Sequence, residues 1–147
     1  MKPPVIFEGV TPILPVRQLA ASIDFYVKVL GFRVNFIGPG EFASVSRDGC
    51  CLFLSQGDQG NPGTWVWIGV DDVEALLEDY RAKGYDVRHA PTNYPWAYEM
   101  QIEDPDGNVL RIGSERKTDR PDGNSWRDMR GNRWEKSPAG EWVRAER

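Results

Sequence analysis

The sequence predicts an α+β fold: two βαβββ repeat units forming curved mixed sheets around a cavity, followed by a short C-terminal β-rich extension. Three observations predict it. Val16, Leu19, Ala21, Ile23 and Tyr26 stand 54 residues before Val70, Val73, Ala75, Leu77 and Tyr80, and Leu30-Gly31-Phe32 answers Lys83-Gly84-Tyr85 at an offset of 53. Matches held in phase along two segments mark an internal repeat. The stretch Glu103-Asp104-Pro105-Asp106-Gly107-Asn108 joins two strands by a tight reversal. Pro105 presets φ there, and Asp106-Gly107-Asn108 supplies short polar side chains and a residue tolerant of φ > 0. Beyond residue 114 the repeat stops, and Trp126, Trp134 and Trp142 recur every eight residues.

Each element has its own signature. Gly9 to Val16 is an apolar strand whose Pro12 and Pro15 confine it to an edge or to pairing on one side. Leu19, Ile23, Tyr26, Val27 and Leu30 recur at helical spacing, and Gly31 ends that helix. Strands follow over 32–37, 41–46 and 50–55, separated by Gly38-Pro39-Gly40 and Arg47-Asp48-Gly49. The glycine-rich residues 57–63 are a linker. The second unit opens with a strand over 65–70. Its helix carries Val73, Leu76, Leu77 and Tyr80 as the apolar stripe, with Asp71 as N-cap and Glu74 at N3. Strands over 85–90, 98–103 and 108–113 complete it, with a loop at 91–97. The predicted division is a main domain 1–114, with units about 9–56 and 64–114, and a Trp-rich extension 115–147. In the extension, Arg133-Trp134-Glu135-Lys136 and Glu141-Trp142-Val143-Arg144 read as a β-hairpin with Trp134 and Trp142 as a cross-strand pair. An isolated hairpin is marginal in water, so the tail is expected to dock on its own sheet or on a partner subunit.

Composition narrows the function. With 40% hydrophobic and 27% charged residues, the 147-residue chain is of globular class, and no apolar run suits a membrane span. Residues 1–114 hold nine Lys/Arg against fifteen Asp/Glu, and residues 115–147 hold nine against seven. The main domain lacks the basic footprint that nucleic acid requires. Cys50 and Cys51 are adjacent and are the only two, which gives no disulfide framework. The opening residues lack the apolar core of a signal peptide, and the expected location is cytoplasmic.

The last strand alternates: Leu110 and Ile112 face one side, and Val109, Arg111 and Gly113 the other. The same alternation collects Thr11, Ile13, Phe53, Trp65, Trp67, Val109 and Arg111 on the helix-free faces, with Phe42 or Phe36 beside them. Trp65 and Trp67 stand two apart on one strand and point the same way. An aromatic wall of this kind suits planar or cationic ligands; alternatively, its side chains fill the cavity themselves. The loop with Asn93, Tyr94, Trp96, Tyr98 and Glu99 is a candidate lid, and Glu99 is the nearest carboxylate for a cation. His89, the single histidine, reads as a surface residue.

Paired βαβββ units, the run Val16-Arg17-Gln18-Leu19-Ala20-Ala21-Ser22-Ile23-Asp24-Phe25-Tyr26 leading to Leu30-Gly31-Phe32, and Asp104-Pro105-Asp106-Gly107-Asn108 before the last strand resemble the vicinal oxygen chelate superfamily over about residues 9–114. That superfamily includes glyoxalase, extradiol dioxygenases and bleomycin-resistance proteins. The resemblance implies a divalent metal held by His and Glu from the first and last strand of each unit. The matching positions here are Thr11, Phe53, Trp65 and Arg111, which supply neither imidazole nor carboxylate. An arginine at such a position would repel a metal ion. The chain is most similar to the metal-free bleomycin-resistance branch, through its opening Thr11-Pro12-Ile13-Leu14-Pro15-Val16-Arg17 and the Arg-bearing strand after the turn. The resemblance implies a homodimer that sequesters a small molecule in a cleft, without cofactor or turnover. The expected ligand-binding residues are Thr11, Ile13, Phe53, Trp65, Trp67, Trp96, Tyr98, Glu99 and Arg111. The alternatives are a metal-dependent glyoxalase- or dioxygenase-like enzyme, with Glu99, Asp58 and His89 converging, and a protein-interaction module with a filled cavity.

Overall fold

The computed structural model describes residues 4–145; the ends of the two predicted segments, residues 1–3 and 146–147, lie outside the described residues. The first unit consists of β1 (Ile13–Pro15), helix α1 (Leu19–Asp24) with a π-helical continuation (Phe25–Val29), β2 (Arg33–Gly38), β3 (Phe42–Arg47) and β4 (Cys50–Ser55). Its sheet has the order β1-β4-β3-β2, with β1 parallel to β4 and the other pairs antiparallel. The second unit repeats this with β5 (Trp65–Gly69), α2 (Val73–Ala82), β6 (His89–Asn93), β7 (Tyr98–Glu103) and β8 (Val109–Ser114). Its order is β5-β8-β7-β6, again with the first and last strands parallel. The extension forms a third, antiparallel sheet of β9 (Ser125–Arg127), β10 (Arg133–Lys136) and β11 (Trp142–Arg144). No helix among the described residues is long and apolar enough to cross a membrane.

The repeat positions build one core. Leu14, Tyr26, Leu30, Val45, Leu52 and Leu54 of the first unit cluster with Val73, Tyr80, Met100, Ile102, Leu110 and Ile112 of the second. The helix-bearing faces of both units therefore share a single interior, which leaves the helix-free faces to build a site. The reversal after β7 pins the units together. Asp104 is buried; its Oδ1 accepts from the backbone N–H of Asp106 (2.8 Å) and Asn108 (2.9 Å), and its Oδ2 accepts from Tyr26 O–H and Asn108 Nδ2 (both 2.9 Å). Asn108 Nδ2 also donates to the carbonyl of Pro15 (2.9 Å), and its Oδ1 accepts from Thr64 N–H (3.1 Å). Burial pushes the Asp104 carboxyl up and these donors pull it back. Gly107 turns the chain at φ +80, which a side chain would resist.

Several local expectations are corrected. β1 is only three residues long, because residues 4–10 run exposed past the sheet edge, with Val5, Phe7 and Val10 in solvent. The first helix changes pitch at Phe25, where the wider turn buries both Phe25 and Tyr26, their rings edge-on at 5.5 Å. It has no local side-chain cap; Gln56 Oε1 accepts from Leu19 N–H (2.6 Å) instead. The N-cap of α2 is Asp72, not Asp71: its carboxylate accepts from Ala75 N–H at 3.0 Å, and Glu74 is released to accept from Tyr98 O–H. The predicted strand over 85–90 is displaced to His89–Asn93. Pro91 is tolerated there because β6 is an edge strand with a register shift between His89 and Thr92. In the tail, Trp134 pairs directly with Trp126, while Trp142 lies opposite Lys136, so Trp134 and Trp142 are diagonal neighbours.

Because Asp104 satisfies donors from both units, Asp104→Ala should orphan them and cost about 3 kcal/mol. Urea unfolding should show this as a lowered midpoint at unchanged slope, with a smaller loss for Asp104→Asn.

Candidate functional site

Arg111 stands in the middle of β8, with Trp67 and Gln101 beside it in register. Strand alternation sends Leu110 and Ile112 into the core and Arg111 to the helix-free face. Glu99, on the same face of β7, meets it as a fork: Arg111 Nε donates to Glu99 Oε2 and Nη2 to Oε1, both at 2.9 Å. The Glu99 side chain is 1% exposed and that of Arg111 29%. The indole N–H of Trp96 also donates to Glu99. These bonds hold the guanidinium further into its charged form.

Aromatic rings surround this pair. Trp67 lies over Gly69 and Gly113, cross-strand partners where an added Cβ would stand 3.1 and 2.8 Å from the indole. The two glycines clear a shelf, and Trp67 remains half exposed on it. Trp65 carries the Arg88 guanidinium over its ring at 5.1 Å. A second aromatic surface belongs to the first unit. Ile13 and Phe53 are register partners, Phe42 meets Phe53 with ring centroids 5.0 Å apart, and Phe36 stacks on Phe42 at 6.5 Å. Thr11 lies two residues before Ile13, half-buried. Both Phe36 and Phe42 thus join the wall.

The tail docks on its own chain. Asn93 receives it: Asn93 Oδ1 accepts from Lys117 N–H (2.8 Å), and Asn93 Nδ2 donates to the Lys117 carbonyl (2.9 Å). Beyond this anchor, Trp126 lies 5.0 Å above the Arg111 guanidinium and 6.4 Å from Trp65. Gln101 Nε2 donates to the Arg127 carbonyl at 3.0 Å, and His89 Nε2 lies 2.9 Å from Ser125 Oγ. The tail therefore occupies the Trp65 side of the second wall and leaves Trp67 open.

The structure brings Trp65, Trp67, Trp96, Glu99 and Arg111 together on one wall and Thr11, Ile13 and Phe53 on the other. Tyr98 is a correction. Alternating with Glu99, it points to the helix side, where its hydroxyl donates to Glu74 Oε1 (3.0 Å) and Lys117 and Arg120 cover its ring. His89 is a second correction: it is half-buried beneath the tail, and burial lowers its pKa, with Arg133, Arg127 and Arg88 adding to the effect. Sequence reasoning missed Trp126, which comes from outside the repeat. It also missed the ladder Asn35, Ser44, Ser46 and Cys51, where Asn35 Nδ2 donates to Ser44 Oγ (3.1 Å) and Ser46 Oγ to Asn35 Oδ1 (2.9 Å). The alternation of Ala43-Ser44-Val45-Ser46 was its signal.

A matching family model spans residues 9–112 and describes the glyoxalase/bleomycin resistance protein/dioxygenase superfamily. The chain belongs to that superfamily. An antibiotic binding protein from Streptomyces sp. CB03234 is 26% identical, with a TM-score of 0.68 over 76% of this chain and 98% of that one. The bleomycin-binding protein of Streptomyces verticillus, solved with copper(II)-bleomycin, is 28% identical, with a TM-score of 0.62 over 76% and 99%. The bleomycin resistance determinant encoded on transposon Tn5, 23% identical with a TM-score of 0.65 over 74% and 98%, shares the fold. Enzymes of the superfamily use a metal, and the donor set here does not fit one. Thr11, Phe53, Trp65 and Arg111 hold the matched positions, and Glu99 is committed to Arg111 and Trp96. Among the described residues no group of three or more His, Cys, Asp or Glu side chains is assembled for a metal.

Two outcomes test this site. Arg111→Ala should strand the buried Glu99 carboxylate and cost about 3 kcal/mol, whereas Glu99→Met combined with Arg111→Met should recover much of it in thermal unfolding. For His89, a folded pKa below the usual 6.5 means that the folded protein binds fewer protons than the unfolded one as pH falls through 6.5. The contribution of neutral His89 is present above that pH and declines below it. Tail docking, followed by tryptophan emission, should loosen from about pH 6.5 downward, and His89→Gln should remove that limb.

Proposed function

We propose that this superfamily member binds a small organic molecule between its two aromatic walls and sequesters it without turnover. The observation that carries the reading is the second wall. A position that would present a metal-binding carboxylate presents Arg111, whose charge is already matched by buried Glu99. What remains open around the pair is aromatic: Trp67 on one wall, and Phe36, Phe42 and Phe53 on the other. Indole and phenyl faces bind planar rings and organic cations by stacking and cation–π attraction, at about 0.5–2 kcal/mol per contact.

Aromatic contacts within the chain do not join the walls among the described residues: Phe53 meets Phe42, and Trp65 meets Trp126. A second copy of the chain completes the cleft in this reading, as a homodimer. The exposed apolar stretch Val5, Ile6, Phe7 and Val10 supports such an interface. The similarity to an antibiotic binding protein and to a bleomycin-binding protein supports an antibiotic as ligand. Free Cys50 and Cys51 support a reducing, cytoplasmic setting.

Titration of tryptophan emission with bleomycin, metal-free and copper-loaded, tests the reading. The expected result is saturable quenching near one drug per chain, weakened about tenfold by Trp67→Ala and by Phe53→Ala, with light scattering reporting a dimer. Conversion of the ligand detected by mass spectrometry, or saturation by a monomer, would overturn it.

A further inference from the structure

The tail sheet carries a feature that neither the repeat nor the cleft explains. Trp126 and Trp134 are direct cross-strand partners, and Trp142 lies diagonal to Trp134 on the same face. Trp96, from the loop before β7, closes the group edge-on to Trp126 at 6.5 Å. With Asp128 these four indoles line a cavity of about 380 Å³. Three of the four indoles lie in the extension beyond the residues matched by the family model, and so does Asp128.

The cavity is held open rather than collapsed. Trp96 is stacked on Tyr94 with ring centroids 4.8 Å apart and planes within 4°, and its N–H is anchored on Glu99. The Trp134 N–H donates to Asp128 Oδ2 at 2.8 Å. Trp126 is braced from below by Arg111 and from the side by Tyr94. With its edge fixed, Trp96 still exposes 54% of its surface, and Trp142 exposes 39%. Arg111 and Arg88 cover Trp126 and Trp65, but no cation–π contact among the described residues uses Trp96, Trp134 or Trp142.

Asp128 supplies the sign and restricts the chemistry. Its Oδ1 accepts from Arg130 N–H (2.9 Å) and Asn132 N–H (2.8 Å), and its Oδ2 from Asn132 Nδ2 (3.3 Å) and Trp134 Nε1. These donors, Trp134 first, hold its carboxyl down to about 2, so it is anionic throughout the physiological range. Four donors fill its acceptor sites. An ammonium rich in N–H groups would find charge here but few free acceptors. A fully alkylated ammonium needs no acceptor, only aromatic faces and a nearby negative charge. On the rim, Arg144 and Lys136 are the cross-strand partners of Trp134 and Trp142, and Arg144 is tied to Asn132 Oδ1 (2.7 Å).

We propose that Trp96, Trp126, Trp134, Trp142 and Asp128 form a second binding site, selective for the quaternary ammonium group of a small molecule. It shares Trp96 with the second wall of the cleft but includes neither Phe53 nor Trp67.

Calorimetric titration of the full chain with choline, and with its uncharged isostere 3,3-dimethyl-1-butanol, tests the proposal. Choline should saturate one site per chain and bind about tenfold or more tighter than the isostere. Trp142→Leu, on an exposed edge strand, should weaken choline about tenfold while leaving the isostere unchanged, because it keeps apolar bulk and removes the π-face. Phe53→Ala should leave choline binding intact, which separates this site from the cleft. Equal affinity for choline and the isostere, an unaffected Trp142→Leu, or no saturable heat for choline up to about 10 mM would overturn it.

Discussion

The Asp104 carboxylate is the point on which the arrangement of the two units depends. It lies in the reversal between β7 and β8, yet one of its partners is Tyr26, from the helix of the other unit. Asn108 extends the link to Pro15, at the end of β1, and to Thr64, just before β5. Arg17 closes the same junction from outside, its N–H on Asp106 at 2.8 Å. A buried carboxylate is tolerated only where donors surround it, so the geometry of the turn and the docking of the units are specified together. Once the helix-bearing faces are joined through this network, the aromatic residues on the opposite faces are left outside the shared core.

The second wall follows the same logic on a smaller scale. Glu99 is as buried as a core residue, and Arg111 makes that possible by neutralising it through a fork. The pair has no spare charge for a metal, but it forms a flat, polar floor on which Trp126 rests. The tail thereby becomes part of the wall. Its three strands are only three or four residues long, and contacts with Asn93, Gln101 and His89 fasten the tail to the second unit.

Much of this was legible in the residues. The repeat, the turn at Asp104, the alternation that puts Arg111 opposite Leu110, and the clustering of Trp65 with Trp67 are one-dimensional patterns with fixed geometric meaning. Tyr98 shows where such reading fails. It was grouped with Glu99 in the candidate lid, although the strand expected over 98–103, which is β7, already sends the two side chains to opposite faces by alternation. The expected cap at Asp71 failed for another reason: Asp72 caps the helix instead, and the partner that engages Glu74, Tyr98, is distant in sequence.

The sequence by itself determined the fold class, the pairing of units and the loss of the metal donors, because each depends on residue identity at a repeating position. Tertiary structure alone decided what covers Arg111 and where the tryptophans of the tail converge. Trp126 stands 15 residues beyond Arg111 in the chain, outside the repeat, and no periodicity fixes where an irregular connector returns. That return is set by complementary surfaces: Asn93 captures the backbone at Lys117, and the open floor of Arg111 and Glu99 accepts an indole. Such complementarity exists only after both units have folded.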